Sequence, residues 1–190
     1  TMDILSEEAL QIIEHNAETV LEEIGVAFTD NPVALQRWRD AGADVTNERV
    51  RIPRGLARKL CETIPGSYTQ HARNPANSVQ MGGDATVLCP SWGPPFVHDL
   101  DQGRRYATMT DFTDLVRLHH TLPWLHHSGG VVCEPVDRPA TKRHLDMLYA
   151  HFRYSDRACM GAFIGAERAG HAIDMARIVF GSDHVAHNAV

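Results

Sequence analysis

The chain has 190 residues, 43% of them hydrophobic and 22% charged, with a formal net charge of −6. That is the balance of one ordinary globular domain, able to bury about 70% of its unfolded surface. The acidic balance excludes nucleic acid as a main partner, which would need a basic face, and no apolar run approaches the ~18–20 residues that span a bilayer.

In chain order, Ser6 caps a first helix with Glu7 and Glu8 in its first turn. Leu10, Ile13, Ala17, Val20, Leu21 and Ile24 form its apolar stripe and Gly25 ends it. A second helix over 32–41 opens at Asn31-Pro32, residues 45–52 alternate as a short strand, and Pro53 opens a helix to about Thr63. Two strand-like runs, 68–72 and 78–81, flank an Asn74-Pro75 turn.

From Asp84 the rhythm becomes strand, helix, strand, helix. Strands are predicted at 86–89, 125–133 and 158–164. Helices are predicted from Thr110 as cap to about His120, from Pro139 to about Phe152 (Leu145, Leu148 and Tyr149 inward), and from Glu167 to Phe180. Such alternation predicts a parallel sheet. Residues 131–133 and 162–164 are continuously apolar, as when both faces of a strand are covered. The fold class read here is α/β: residues 1–83 form an N-terminal helical/α+β extension and residues 84–190 the first βα units of an incomplete TIM-type (β/α)8 barrel. Three units cannot close a barrel of about 250 residues. The competing open doubly wound sheet lacks its Gly-rich phosphate loop.

Parallel folds place ligands at the carboxyl ends of strands. That rule selects Pro90–Phe96, then Glu134, Pro135 and Asp137, then Gly165 and Glu167. Trp92 and Phe96 are candidates for a cation-binding pocket, set against ordinary packing. Glu134 is a candidate for substrate contact or proton handling, set against a cap or an ion pair with Arg138 or Arg143. Asp137 reads as the N-cap of the following helix and Glu167 as a first-turn carboxylate.

The twelve histidines include the pairs His119-His120 and His126-His127. Neither has zinc-site spacing, and in a strand only one of His126 and His127 can face a pocket. Cys133-Glu134 lacks companion ligands, so no metal is assigned, and no nucleophile elbow appears. The cysteines Cys61, Cys89, Cys133 and Cys159 have no CxxC spacing and no signal peptide opens the chain. They read as reduced, buried thiols of a cytoplasmic protein.

The N-terminal LSEEALQIIEHNAETVLEEIGVAF, then NPVALQRWRDAGADVTNERVRIPRGL, then ETIPGSYTQHARNP, taken together, resemble the trimethylamine methyltransferase family. So do PPFVHDLDQGRRYATMTDF, with its Asp…Gly…Arg hairpin and Thr-x-x-Asp helix start, and VCEPVDRP before HLDMLYAHF. The resemblance runs from about Leu5 to Phe180 and lies in the order and spacing of these segments. It implies a TIM-type barrel with an N-terminal extension. It also implies transfer of a methyl group from a methylated amine, trimethylamine or a quaternary amine such as glycine betaine, to the Co(I) of a corrinoid (cobalamin) carried by a separate protein. No cofactor is then bound by this chain directly. Family members are longer, so this is expected to be the N-terminal part; some carry pyrrolysine in the C-terminal half. The catalytic residues are not assigned. Trp92, Phe96 and Glu134 are the substrate-binding candidates, and the 98–105 hairpin is expected at the barrel mouth or partner-docking rim. The alternative is a non-catalytic truncated or degenerate relative that binds an amine or serves as an assembly piece. A third reading is a zinc-dependent methyltransferase or hydrolase. The open strand edges expected of an incomplete barrel predict a homo-oligomer.

Overall fold

The structure, a computed structural model, describes residues 4–161 and 164–190. The chain divides between Pro65 and Gly66 into two compact units.

In the first unit, α1 (Glu7–Thr19) begins where the Ser6 side chain accepts the amide of Ala9. It runs into one π turn, Val20–Ile24, closed by Gly25 N–H donating to Val20 O. Gly25 has φ 72°, and a Cβ there would collide with the carbonyl of Val50. Glycine is therefore required on both counts. After β1 (Val26–Ala27), Asn31 caps α2 (Pro32–Asp40). The single strand expected over 45–52 is instead a hairpin of β2 (Asp44–Thr46) and β3 (Arg49–Arg51), joined antiparallel. Asn47 makes the turn at φ 54°, a conformation that asparagine tolerates well. Alternation of apolar residues cannot reveal a two-residue turn inside the run. α3 (Leu56–Cys61) is shorter than predicted because Gly55, not Pro53, precedes its first turn. Leu35, Val50 and Ile52 form this unit's core, and of the α1 stripe only Leu21 packs against it.

The second unit opens with the antiparallel hairpin of β4 (Ser67–Gln70) and β5 (Val79–Gly82). Its residues Ala72 and Val79 pack with Ala158. That packing ties the hairpin to the second unit, whereas the sequence reading drew its boundary at 83/84. A second antiparallel hairpin follows, β6 (Phe96–Asp99) and β7 (Gly103–Tyr106). Then come α4 (Met109–Thr121), α5 (Arg143–Tyr154), α6 (Ala166–Phe180) and α7 (Ser182–His187). The core joins Ala107, Met109, Phe112 and Val116 to Val132, Cys133, Met147 and Ala150.

The predicted parallel strands are corrected here. Among the described residues, 86–89, 125–133 and 158–161 form no regular ladder and no closed barrel; residues 162 and 163 of the third prediction lie outside the described residues. The three segments nevertheless run side by side in one direction. Leu88 O accepts from His126 N and Val131 O from Gly93 N, while Ser128 N donates to Ala158 O and Met160 N to Gly129 O. Pro90 has no donor to give, and Gly129, at φ 85°, bends its segment out of extended geometry, so pairing is intermittent.

Three helix details also change. Thr108 rather than Thr110 caps α4. α5 starts at Arg143, after a turn at 139–142, and Tyr149 is 57% exposed rather than inward. The cysteines are all free, but Cys61 and Cys89 are exposed rather than buried.

Candidate functional site

The charged hairpin is welded to the start of α4. Arg105 grips both oxygens of Asp111 at 2.7 Å and reaches Asp99 at 3.2 Å. Asp111 also accepts from Thr108 N at 2.8 Å while Thr108 Oγ1 accepts from Asp111 N, a reciprocal capping box. The Arg105 hydrogen bond, helped by those from Thr108, holds Asp111 far below the usual carboxylate range. Asp99 is lowered chiefly by the Gln102 amide, in the turn that closes the hairpin.

The next loop is tied to the same place. Asp137 Oδ1 accepts from Met109 N at 2.8 Å, and Val136 N donates to Ala107 O. Asp137 is therefore a helix cap, as the sequence suggested, but of α4 rather than α5. A local pattern could not reveal that, because the capped amide lies far back in the chain. Glu167 sits exposed in the first turn of α6.

Of the three substrate-binding candidates, Trp92 and Glu134 are held on adjoining segments. Gly93 N donates to Val131 O at 2.7 Å and Glu134 N to Pro94 O at 3.0 Å. Trp92 is 53% exposed, its indole lying against Gly130. Glu134 carries its own counter-ion, since Arg143 pairs with it while also donating to Arg138 O. Phe96 departs with the hairpin. Its ring meets Tyr106 at 4.6 Å, and the guanidinium of Arg104 lies over it at 3.6 Å. One face of Phe96 thus already holds a cation from the chain itself, whereas no cation of the described residues lies over Trp92.

Sequence reasoning missed a buried polar group beneath Trp92. His127 is buried and His126 exposed, the split expected of neighbours on an extended segment. His127 Nδ1 accepts from Gly129 N at 2.9 Å, so its Nε2 donates to Gln70 Oε1 at 3.2 Å, and Gln70 Nε2 donates to Cys159 O. His151 donates from Nε2 to Gly130 O at 2.7 Å and accepts from Ser128 Oγ at 2.7 Å. Burial pushes the His151 imidazole down to about 4 and lowers His127, so both are neutral near pH 7. The available signal was the helical spacing of His144, Met147, Leu148 and His151 on one face of α5.

Among the described residues no group of three or more His, Cys, Asp or Glu side chains is placed to hold a metal ion. No described helix is long and apolar enough to cross a membrane. A cavity of about 100 Å³ lies among Leu148, Phe152, Cys159, Ala172 and Phe180, and none of the three candidate residues lines it. Burial pushes the Cys159 thiol there up to about 12, so it is not a thiolate at neutral pH.

The second unit thus combines antiparallel hairpins and helices with segments that run side by side, a mixed helix-and-sheet fold. The profile of the trimethylamine methyltransferase (MTTB) family matches residues 1–190, and the chain belongs to that family. It is 39% identical over 183 residues to a glycine betaine methyltransferase of Desulfitobacterium hafniense (strain Y51). That match covers 96% of this chain and 38% of the relative's length.

Proposed function

We propose that this chain is the N-terminal part of a (β/α)8-barrel methyltransferase. The reaction moves a methyl group from a methylated amine, trimethylamine or a quaternary amine such as glycine betaine, to the Co(I) of a corrinoid carried by a separate partner protein, with this chain in the cytoplasm. Family membership and the relative's name support the reaction class. The observation that carries the site is Trp92, an exposed indole at the end of the first parallel segment with no cation of its own chain against it among the described residues. A quaternary ammonium on its face gains about 0.5–2 kcal/mol. The leaving group is then a neutral tertiary amine, which needs no proton. What the protein must supply is in-line placement of the methyl carbon against the nucleophile.

Glu134 and Phe96 take supporting parts. Glu134, paired with Arg143, presents a dipole rather than a bare charge, which suits a zwitterion better than a simple cation. Phe96 and the hairpin that carries it shape the rim on which the corrinoid protein docks. The test is to mix the chain with glycine betaine or trimethylamine and a corrinoid protein reduced to Co(I), and to follow the visible absorbance of the cobalt centre. Methylation that depends on the amine and falls in Trp92→Leu supports the reading. Amine binding without methylation would favour the amine-binding, non-catalytic alternative.

A further inference from the structure

The geometry points to His151 as a positioning residue for Trp92, acting through the bend Ser128-Gly129-Gly130. The amine-binding arm of the test below rests on the reading of Trp92 as a cation platform; the rest does not.

One imidazole fixes both ends of a three-residue bend. Its Nε2–H donates to Gly130 O, which leaves Nδ1 as the acceptor for the Ser128 hydroxyl. Phe112 meets the same ring edge to face at 5.4 Å, so the imidazole is confined between helix and bend. The middle of the bend is held separately, Gly129 N–H donating to His127. Ser128 N–H in turn donates to Ala158 O, and Gly129 O accepts from Met160 N. A segment this short, with its polar groups satisfied from three directions, has one conformation available.

What that conformation does is hold the indole. A Cβ built on Gly130 would lie 2.8 Å from Cζ2 of Trp92 and 3.2 Å from Cε2. Gly130 is not among the glycines with positive φ, so its backbone would accept alanine. Space against the ring is what calls for glycine there. The bend thus backs one side of Trp92 at van der Waals distance, while 53% of the residue stays exposed. A platform for a cation needs its ring plane fixed before the ligand arrives, and His151 fixes it without touching the ligand.

The test uses the 190-residue chain carrying Trp38→Phe and Trp124→Phe, so that Trp92 alone emits. His151→Phe keeps a ring of similar size and loses both hydrogen bonds; His151→Gln keeps a donor for Gly130 O. The expected result is a red-shifted Trp92 emission and greater acrylamide quenching in the Phe variant, with the Gln variant close to the parent. Tetramethylammonium, used as probe, is expected to bind the Phe variant about two- to fivefold more weakly. If His151→Phe fails to fold, Ser128→Ala and Gly130→Ala carry the test. The first loosens one end of the bend and the second displaces the ring with the His151 bonds intact, so both shift the emission. Emission that superimposes on the parent in the folded variants overturns the proposal. So does a Gln variant displaced as far as the Phe variant, which assigns the shift to packing alone. A shifted emission with no tetramethylammonium binding by the parent supports the positioning role while removing the cation platform.

Discussion

Two polar clusters of the second unit do opposite kinds of work. The clamp at the hairpin base is made of charges: Arg105, Asp99 and Asp111, with the capping hydroxyl of Thr108, partly open to water. The cluster under Trp92 is made of neutral groups, His127, Ser128, His151 and Gln70, all buried. Charges at a surface gain little each, because water screens them and would solvate them anyway. Neutral hydrogen bonds in the interior gain little in forming but are expensive to leave half made. The clamp should therefore lose less on removal of a member, least of all at its outer residue Asp99, than the buried cluster loses on removal of His151.

That contrast can be broken by mutation. The largest effect is expected from His151→Ala, which leaves the Ser128 hydroxyl and Gly130 carbonyl unpaired around a cavity. Urea unfolding should show a loss of about 3–5 kcal/mol. A loss under 1 kcal/mol would mean that water fills the site at no cost.

Acid should separate the clusters next. His151 titrates near 4 when folded and near 6.5 when unfolded. Between these values the unfolded chain binds the proton and the folded one does not. This contribution is complete above about pH 6.5 and is lost as the pH falls toward 4, reaching about 3 kcal/mol. Asp111, also depressed, acts in a lower window: its contribution is present above the usual carboxylate pKa of about 4 and disappears only below it. Stability measured from pH 7 to 3 should thus fall in two stages, and His151→Gln should shrink the first, to which the depressed His127, His119 and His144 also contribute, while leaving the second.

Smaller losses belong to the clamp. Asp111→Ala removes the cap and the bidentate partner of Arg105, and should cost about 2–3 kcal/mol by the same urea measurement. Asp99→Ala removes the outer contact of Arg105 together with the turn bonds from the Gln102 and Asp101 amides, and should cost less than Asp111→Ala, about 0.5–1.5 kcal/mol. An Asp99 variant as damaging as the Asp111 one would erase the distinction between cap and surface pair.

The clamp was more legible in sequence than the buried cluster. Thr108-x-x-Asp111 is a local spacing, and an Asp…Gly turn between strands announces itself. The cap expected at Thr110 lies at Thr108 instead, the threonine of the two with a carboxylate three positions on. The partner of Asp137 was hidden for a different reason: it caps a helix earlier in the chain. Glu134's pairing with Arg143 was weighed from sequence and is what the structure shows. The helical spacing on α5 puts His151 on the inward face, but its hydrogen-bonding part is not legible in sequence, because its partners are a serine and a carbonyl brought in by the bend. Among the described residues the segments expected to be parallel strands do lie side by side, but without a regular ladder. Apolar runs predict where chains lie together; proline and glycine within them decide whether a ladder forms.

Trp92 as the seat of a methylated ammonium is the claim on which the functional account turns. Proton NMR of glycine betaine titrated with the 190-residue chain tests it most directly, since a ring face shifts N-methyl protons upfield. The account predicts a saturable upfield shift that disappears in Trp92→Leu and survives in Phe96→Leu, whose ring is already covered by Arg104. No shift with the parent chain, or one that persists unchanged in Trp92→Leu, would contradict it.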